Sequence, residues 1–323
     1  MNNISIFMGD LLQSLTEKRG LSEKTGLLYI KNLLKLNNNE PFNNLMFLKN
    51  YNIIDNILNK YKDNTKKTIL SGIVSILTEY KNKTVYKKIY NHYYNLMMNK
   101  AEEMKNINQN EKTNKENENW MDWESIINIK NNYSKICDEI VTKKMITIKQ
   151  YKELLYNVIL SLYTELGGPR RNQDFLEMYV IKEYDDSYPK NKNYLDITKK
   201  KLIYNVFKTS KKYGTQIIDF NDKTNLINAL NCYLKFHPLN PSKKDPAKIK
   251  NNIIYKLLVF SDGSPLETLN SITRILNRIF KKRIGSSMLR HIYLSSKYNI
   301  NEMKEDAYNM GHSLEQQRAY LKE

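Results

Sequence analysis

The chain has 323 residues and carries 52 Lys and Arg against 34 Asp and Glu, a net charge of +18 with a pI near 9.5. That excess predicts a polyanionic partner, nucleic acid before an acidic membrane, over a background of codon bias toward Asn, Lys, Ile and Tyr. With no apolar run of membrane-spanning length and no signal-peptide pattern at the start, a membrane protein is not expected, and the expected location is intracellular, wherever the polyanionic partner resides.

Residues 1–104 read as helical. Ser22 has the chemistry of an N-cap before Leu27, Ile30, Leu33 and Leu34 at helical spacing. Asp63 or Asn64 can cap a helix carrying Ile69, Ile73, Ile76 and Leu77. Lys66 and Lys67 stand in its first turn, against the helix dipole. Such a terminus suits a phosphate, and a solvated basic face explains the same lysines equally well. A further helical stretch, rich in Tyr and Lys, spans about 85–104. Residues 105–119 hold a single apolar residue and read as a linker.

Beyond the linker, 120–323 is expected to form a second domain. Trp120 and Trp123 open it, and 121–141 and 147–166 have helical periodicity. The period then shortens: 178–181, 194–197, 202–207 and 216–220 read as strands with polar turns between them. Helices resume at about 222–236 and continue to the end, interrupted near Pro238–Pro246 and Gly263–Pro265. The expected class is mainly α with a small antiparallel sheet, an α+β arrangement. Cys137 and Cys232 are isolated in helix-like segments and read as reduced core residues. With four histidines scattered along the chain, no zinc set and no cofactor are expected.

Four segments carry candidate chemistry. In Gly167-Gly168-Pro169-Arg170-Arg171-Asn172-Gln173-Asp174-Phe175, two arginines open a new helix, where the dipole gives them no local reason to stand unless an anion binds. Asp174 can hold Arg171 or its neighbour in place. Phe207-Lys208-Thr209-Ser210-Lys211-Lys212 lies between two strands, and a lysine at a hairpin tip can reach into a groove; protection of a sheet edge is the alternative. Gly285-Ser286-Ser287-Met288-Leu289-Arg290-His291 follows a basic helix with Arg274, Arg278, Lys281, Lys282 and Arg283. Finally, Met310-Gly311-His312-Ser313 precedes Tyr320 near the chain end.

In this order the segments resemble the tyrosine recombinases, the integrase family. Gly168 to Phe175 resembles that family's first arginine box, with Arg171 as the catalytic arginine because Asp174 stands where the family has an acid. Lys208 matches the β-hairpin lysine, Arg290 the second-box arginine, Met310-Gly311-His312-Ser313 the Leu-Gly-His-Ser motif, and Tyr320 the nucleophile. The motifs span roughly 120–323, and 1–104 is similar to the family's helical core-binding domain. Ser287 stands in the place of the second-box histidine, for which His291 is a poor substitute, since adjacent helix positions face about 100° apart. Tyr320 follows His312 one position sooner than is usual in the family.

The resemblance implies metal-independent DNA strand cleavage and rejoining through a 3′-phosphotyrosine, by a homo-tetramer on double-stranded DNA. Asp174, Ser287 and His291 would support the site, and Lys66, Lys67, Arg170, Lys211 and Arg283 would contact DNA. The composition suits a virus or mobile element. A type IB topoisomerase-like enzyme shares the same chemistry, and the departure at Ser287 admits a DNA-binding relative with weakened catalysis.

Overall fold

The computed structural model describes residues 6–105, 112–241, 254–297 and 300–313. The chain forms two compact units, Met1–Asn108 and Gln109–Glu323. Among the described residues no helix is long and apolar enough to cross a membrane.

The first unit is helical: α1 (Ile6–Glu17), α2 (Glu23–Leu36), α3 (Tyr51–Leu58), α4 (Asp63–Leu77) and α5 (Thr84–Lys105), with a 3₁₀ turn at Met46–Lys49. Ser22 caps α2 as expected, its hydroxyl accepting from Thr25 N. At α4 the expectation fails. Lys62 takes the cap position and gives no side-chain cap. Asp63 becomes the first helical residue and pairs with Lys100 Nζ at 2.7 Å. A carboxylate at that place still favours the helix dipole. The apolar faces of all five helices meet in one core, from Met8 on α1 to Tyr93 on α5. The Tyr93 hydroxyl reaches the Leu48 carbonyl at 2.8 Å, so the core also fixes the 3₁₀ turn.

The second unit holds α6 (Asn114–Asn119), α7 (Trp123–Val141), α8 (Ile148–Thr164), α9 (Asn172–Leu176), α10 (Ser210–Tyr213), α11 (Thr224–Lys235), α12 (Leu269–Phe280), α13 (Ser286–Ser295) and α14 (Ile300–Met310). Its strands are β1 (Met178–Ile181), β2 (Asn193–Asp196), β3 (Lys201–Tyr204), β4 (Gln216–Asp219) and β5 (Tyr255–Lys256). The fold is thus mainly α with a small sheet. α6 lies within the stretch read as linker. Its six residues have no apolar face, and a local device makes the turn: Thr113 and Glu116 exchange cap hydrogen bonds in a capping box.

The sheet has the order β4-β3-β2-β1-β5 and is mixed rather than antiparallel. β1 and β2 run parallel, with Met178 beside Asn193, whereas β2–β3, β3–β4 and β1–β5 are antiparallel. A direct hairpin cannot join parallel neighbours. Residues 182–192 instead cross over one face, where Tyr184 and Tyr188 pack on Tyr194. The other face lies against α8 and α11 in the main core, with Leu195, Leu202 and Tyr204 packed beside Leu154, Val158 and Tyr233. β5 escaped the sequence reading because its two residues, Tyr255 and Lys256, are too few to show an alternation.

Candidate phosphate site

The end of α8 turns sharply into α9. Gly168 sits at φ +145, a backbone conformation that residues with a side chain rarely adopt, and a β-carbon there would also crowd Met310 and Tyr293. The next two side chains diverge. Arg170 is fully buried. Its Nε donates to Asp174 Oδ2 at 2.8 Å, and its Nη1 donates to Gln216 Oε1 at 3.1 Å and to the Asn309 carbonyl. Its guanidinium stacks on the Tyr204 ring, 3.8 Å from the centroid. Arg171 is the N-cap of α9 and is only half buried; its Nη1 donates to the Gly311 carbonyl at 3.3 Å. Asp174 therefore holds the neighbour and not Arg171. Arg170, expected to contact DNA, has no exposed surface, because its guanidinium is spent on protein acceptors and an aromatic face.

Side-chain amides fix α9 from two directions. Asn172 accepts from the Tyr163 hydroxyl at 2.6 Å and donates to the Leu269 carbonyl and Thr273 Oγ1 on α12, each at 2.9 Å. Asn193 donates to the Asp174 carbonyl at 2.9 Å and exchanges hydrogen bonds with the backbone of Val206. The arginine turn is thereby tied to the connection between β3 and β4.

That connection is not a tight hairpin, since α10 lies within it. Lys208 precedes α10 and its side chain is exposed. The residues on either side of it are engaged with the last turn of the described chain. The Phe207 ring lies 5.2 Å from the Arg170 guanidinium, and Thr209 Oγ1 donates to the Gly311 carbonyl. Lys208 itself is exposed, between two neighbours that are held beside the arginine turn.

α13 supplies Arg290, which is buried. Its charge acts on Tyr163, Asp174 and His312, which assigns it to the same cluster. Ser287, in the first turn of α13, is exposed, and His291 is half buried. The Tyr293 hydroxyl donates to the Gly167 carbonyl at 2.8 Å and lies 3.1 Å from Asp306 Oδ1, joining α13 and α14 to the arginine turn.

Gly311, at φ +67, ends α14 in the left-handed region; a β-carbon there would come within 3.1 Å of Arg170 Nη2. His312 follows and is buried at 2 % exposure. Burial pushes its pKa down to about 4, against the hydrogen bond to Ser313, and repulsion from Arg290, Arg171 and Arg170 adds to the fall. Its Nδ1 lies 3.2 Å from the Ser313 carbonyl. A carbonyl only accepts, so this contact requires the proton on Nδ1 and leaves Nε2 as the acceptor nitrogen. Burial raises the Asp174 pKa, opposed first by Arg170 and then by Arg290 and Arg171.

Among the described residues, three guanidiniums thus surround Asp174 and a neutral imidazole. Nη2 of both Arg170 and Arg171 is buried with no hydrogen-bond partner among the described residues. Such a site favours an anion whose oxygens accept N–H bonds. Tyr320 lies outside the described residues. The structure therefore brings together Arg170, Arg171, Asp174, Arg290 and His312, and leaves the Lys208 side chain and Ser287 exposed.

Outside the cluster, α12 buries Ile272, Ile275, Leu276, Ile279 and Phe280 and exposes Arg274 and Arg278 along the opposite face, with Lys281 exposed just past its end. Asn172 ties the first turn of this helix to the arginine turn, so the basic face begins beside it. Arg283 is exposed, its backbone N–H held by Asn119 Oδ1 at 2.7 Å. Lys211 is exposed on α10. In the first unit Lys66 and Lys67 are half buried, and Lys66 Nζ donates to Asn59 Oδ1 at 2.7 Å. The sequence reading missed Gln216, Thr209 and Asn193; they are neutral residues whose partners are distant in the chain, and no periodicity or motif marks them.

No family model matches the chain, and no curated protein matches it. Among solved structures it is similar to the crystal structure of XerA recombinase, at 12 % identity and a TM-score of 0.38, over 97 % of this chain and 92 % of that one.

Proposed function

We propose that the second unit binds a DNA phosphodiester in the arginine–histidine cluster and cleaves it by attack of a tyrosine, as a recombinase or integrase of the tyrosine class. The observation that carries this reading is the convergence of Arg171, Arg290 and His312, taken from three separate sequence motifs, on one electropositive buried site. Attack on a phosphodiester builds charge on the nonbridging oxygens. Arg171 and Arg290 stabilise that charge.

The Tyr320 phenolate is the nucleophile: its oxygen bonds to phosphorus as the bond to the 5′-oxygen breaks. Neutral His312, with Nε2 as its acceptor nitrogen, can take the phenolic proton and afterwards donate to the phosphoryl group. Lys208 supplies a proton to the departing 5′-oxygen once its exposed side chain turns toward the duplex. The exposed face of α12 and Arg283 contact the DNA backbone, with Lys66 and Lys67 of the first unit adding charge. Assembly as a tetramer on two duplexes belongs to the same reading.

The test is a nicked suicide duplex bearing the target site, resolved on a denaturing gel. The expected product is a covalent protein–DNA adduct in the parent that is absent in Tyr320→Phe and unchanged by EDTA. An adduct that persists in Tyr320→Phe refutes the assignment. DNA binding with no adduct under any condition favours the weakened DNA-binding relative, for which exposed Ser287 is the motivating feature. Relaxation of a supercoiled plasmid without exchange between two sites favours the topoisomerase-like alternative.

A further inference from the structure

The Gly311–His312 turn is held through backbone carbonyls, and one buried side chain joins two of the elements that hold it. Gln216, the first residue of β4, is 1 % exposed. Both ends of its amide are used. Oε1 accepts from Arg170 Nη1 at 3.1 Å, and Nε2 donates to the Tyr308 carbonyl, in the last turn of α14, at 2.8 Å. Arg170 donates in turn to the Asn309 carbonyl, and Arg171 and Thr209 to that of Gly311.

The last carbonyls of a helix have no partner within it. Here side chains from the arginine turn, the β3–β4 connection and β4 take that role. Hydrogen bonds are directional, so they fix the orientation of the helix end as well as its depth. Gln216 is central because a single rigid amide sets the spacing between Arg170 and α14. A residue that kept its volume without the amide would leave a buried guanidinium N–H unpaired and strip the Tyr308 carbonyl of its side-chain donor, leaving it only the Gly311 N–H at 3.0 Å.

We propose that Gln216 is a positioning residue: with Arg170 it latches the end of α14 onto the sheet and so holds His312 inside the arginine cluster. The importance of this latch for catalysis rests on the strand-cleavage reading above, whereas its effect on His312 does not. The side chain has no role in the chemistry itself. It acts through His312, whose neutral, buried state depends on the turn remaining closed against Arg170, Arg171 and Arg290.

The experiment uses the full chain with isotope-labelled histidine, the His312 resonance being assigned by its loss in His312→Asn. Gln216→Met removes both hydrogen bonds at similar volume. Gln216→Asn, a milder variant that folds more readily, retains an amide too short to span both partners. Each variant's fold is checked by its thermal transition. The His312 titration is expected to move up by about one unit or more in either variant, toward its ordinary value, as the turn opens to water. The covalent-adduct rate should fall by about tenfold or more, with DNA affinity held within about twofold, because a positioning loss is felt in the chemical step.

A His312 titration that stays at the parental position in the folded variants overturns the latch, whatever the adduct does. A parental protein that forms no adduct on its target site defeats the strand-cleavage reading, and the titration still decides the latch.

Discussion

The depressed pKa of His312 makes stability depend on acid in a calculable way. The imidazole falls from 6.5 to about 4 on folding, chiefly by burial and further by three guanidiniums. Above pH 6.5 it is neutral in both the folded and unfolded chain, and its contribution is complete. Between 6.5 and 4 the unfolded chain takes a proton that the native site refuses, so stability falls as the pH falls. Below about 4 both forms are protonated and the loss stops. At about 1.4 kcal/mol per unit, the shift corresponds to about 3 kcal/mol between pH 7 and 4.

Other groups titrate in the same window. Asp174, with its raised pKa, contributes with the opposite sign, because the native state then binds its proton first. The informative quantity is therefore the difference between the parent and His312→Asn, in which the side-chain amide nitrogen takes the place of Nδ1. Urea unfolding at half-unit pH steps measures it. The two stability curves should converge by about 3 kcal/mol on going from pH 7 to 4, because only the parent loses the His312 contribution. Curves that stay parallel over that range refute the argument, since a solvated imidazole would titrate alike in both states.

Two further outcomes follow from the same geometry. Asp174→Ala leaves the Arg170 guanidinium buried without its counterion and should cost about 3–5 kcal/mol of unfolding free energy, read from chemical denaturation; a loss below about 1 kcal/mol contradicts the ion pair's role. Replacing both Arg274 and Arg278 with Gln removes two charges from the exposed face of α12. The log–log salt slope of duplex binding should shrink by about two while the fold is retained, and an unchanged slope removes α12 from the interface.

The amino-acid sequence alone carried whatever depends on local periodicity or on the order of motifs. β1 was legible to the residue because Met178-Tyr179-Val180-Ile181 is an apolar and aromatic run bounded by Glu177 and Lys182, and β4 nearly so. The Ser22 cap was legible because a hydroxyl before an apolar periodic stretch has one local use. The basic face of α12 could be read because the spacing of its apolar residues leaves the arginines on the far side. The chain order of Arg171, Arg290 and His312 suggested a shared site before any distance was known.

Tertiary structure decided what adjacent residues do. Arg170 and Arg171 are chemically identical neighbours, yet one is buried against Tyr204, Asp174 and Gln216 and the other caps α9 with part of its surface free. No local rule separates them, because the difference comes from partners 46 and about 140 residues away. The parallel pairing of β1 with β2 was hidden for a related reason: strand direction depends on the path of 182–192, and alternation along a strand is the same in either direction. Gln216 lies furthest from the reach of sequence. Its importance consists of two hydrogen bonds to distant groups, and a neutral amide near a strand start carries no pattern that announces them.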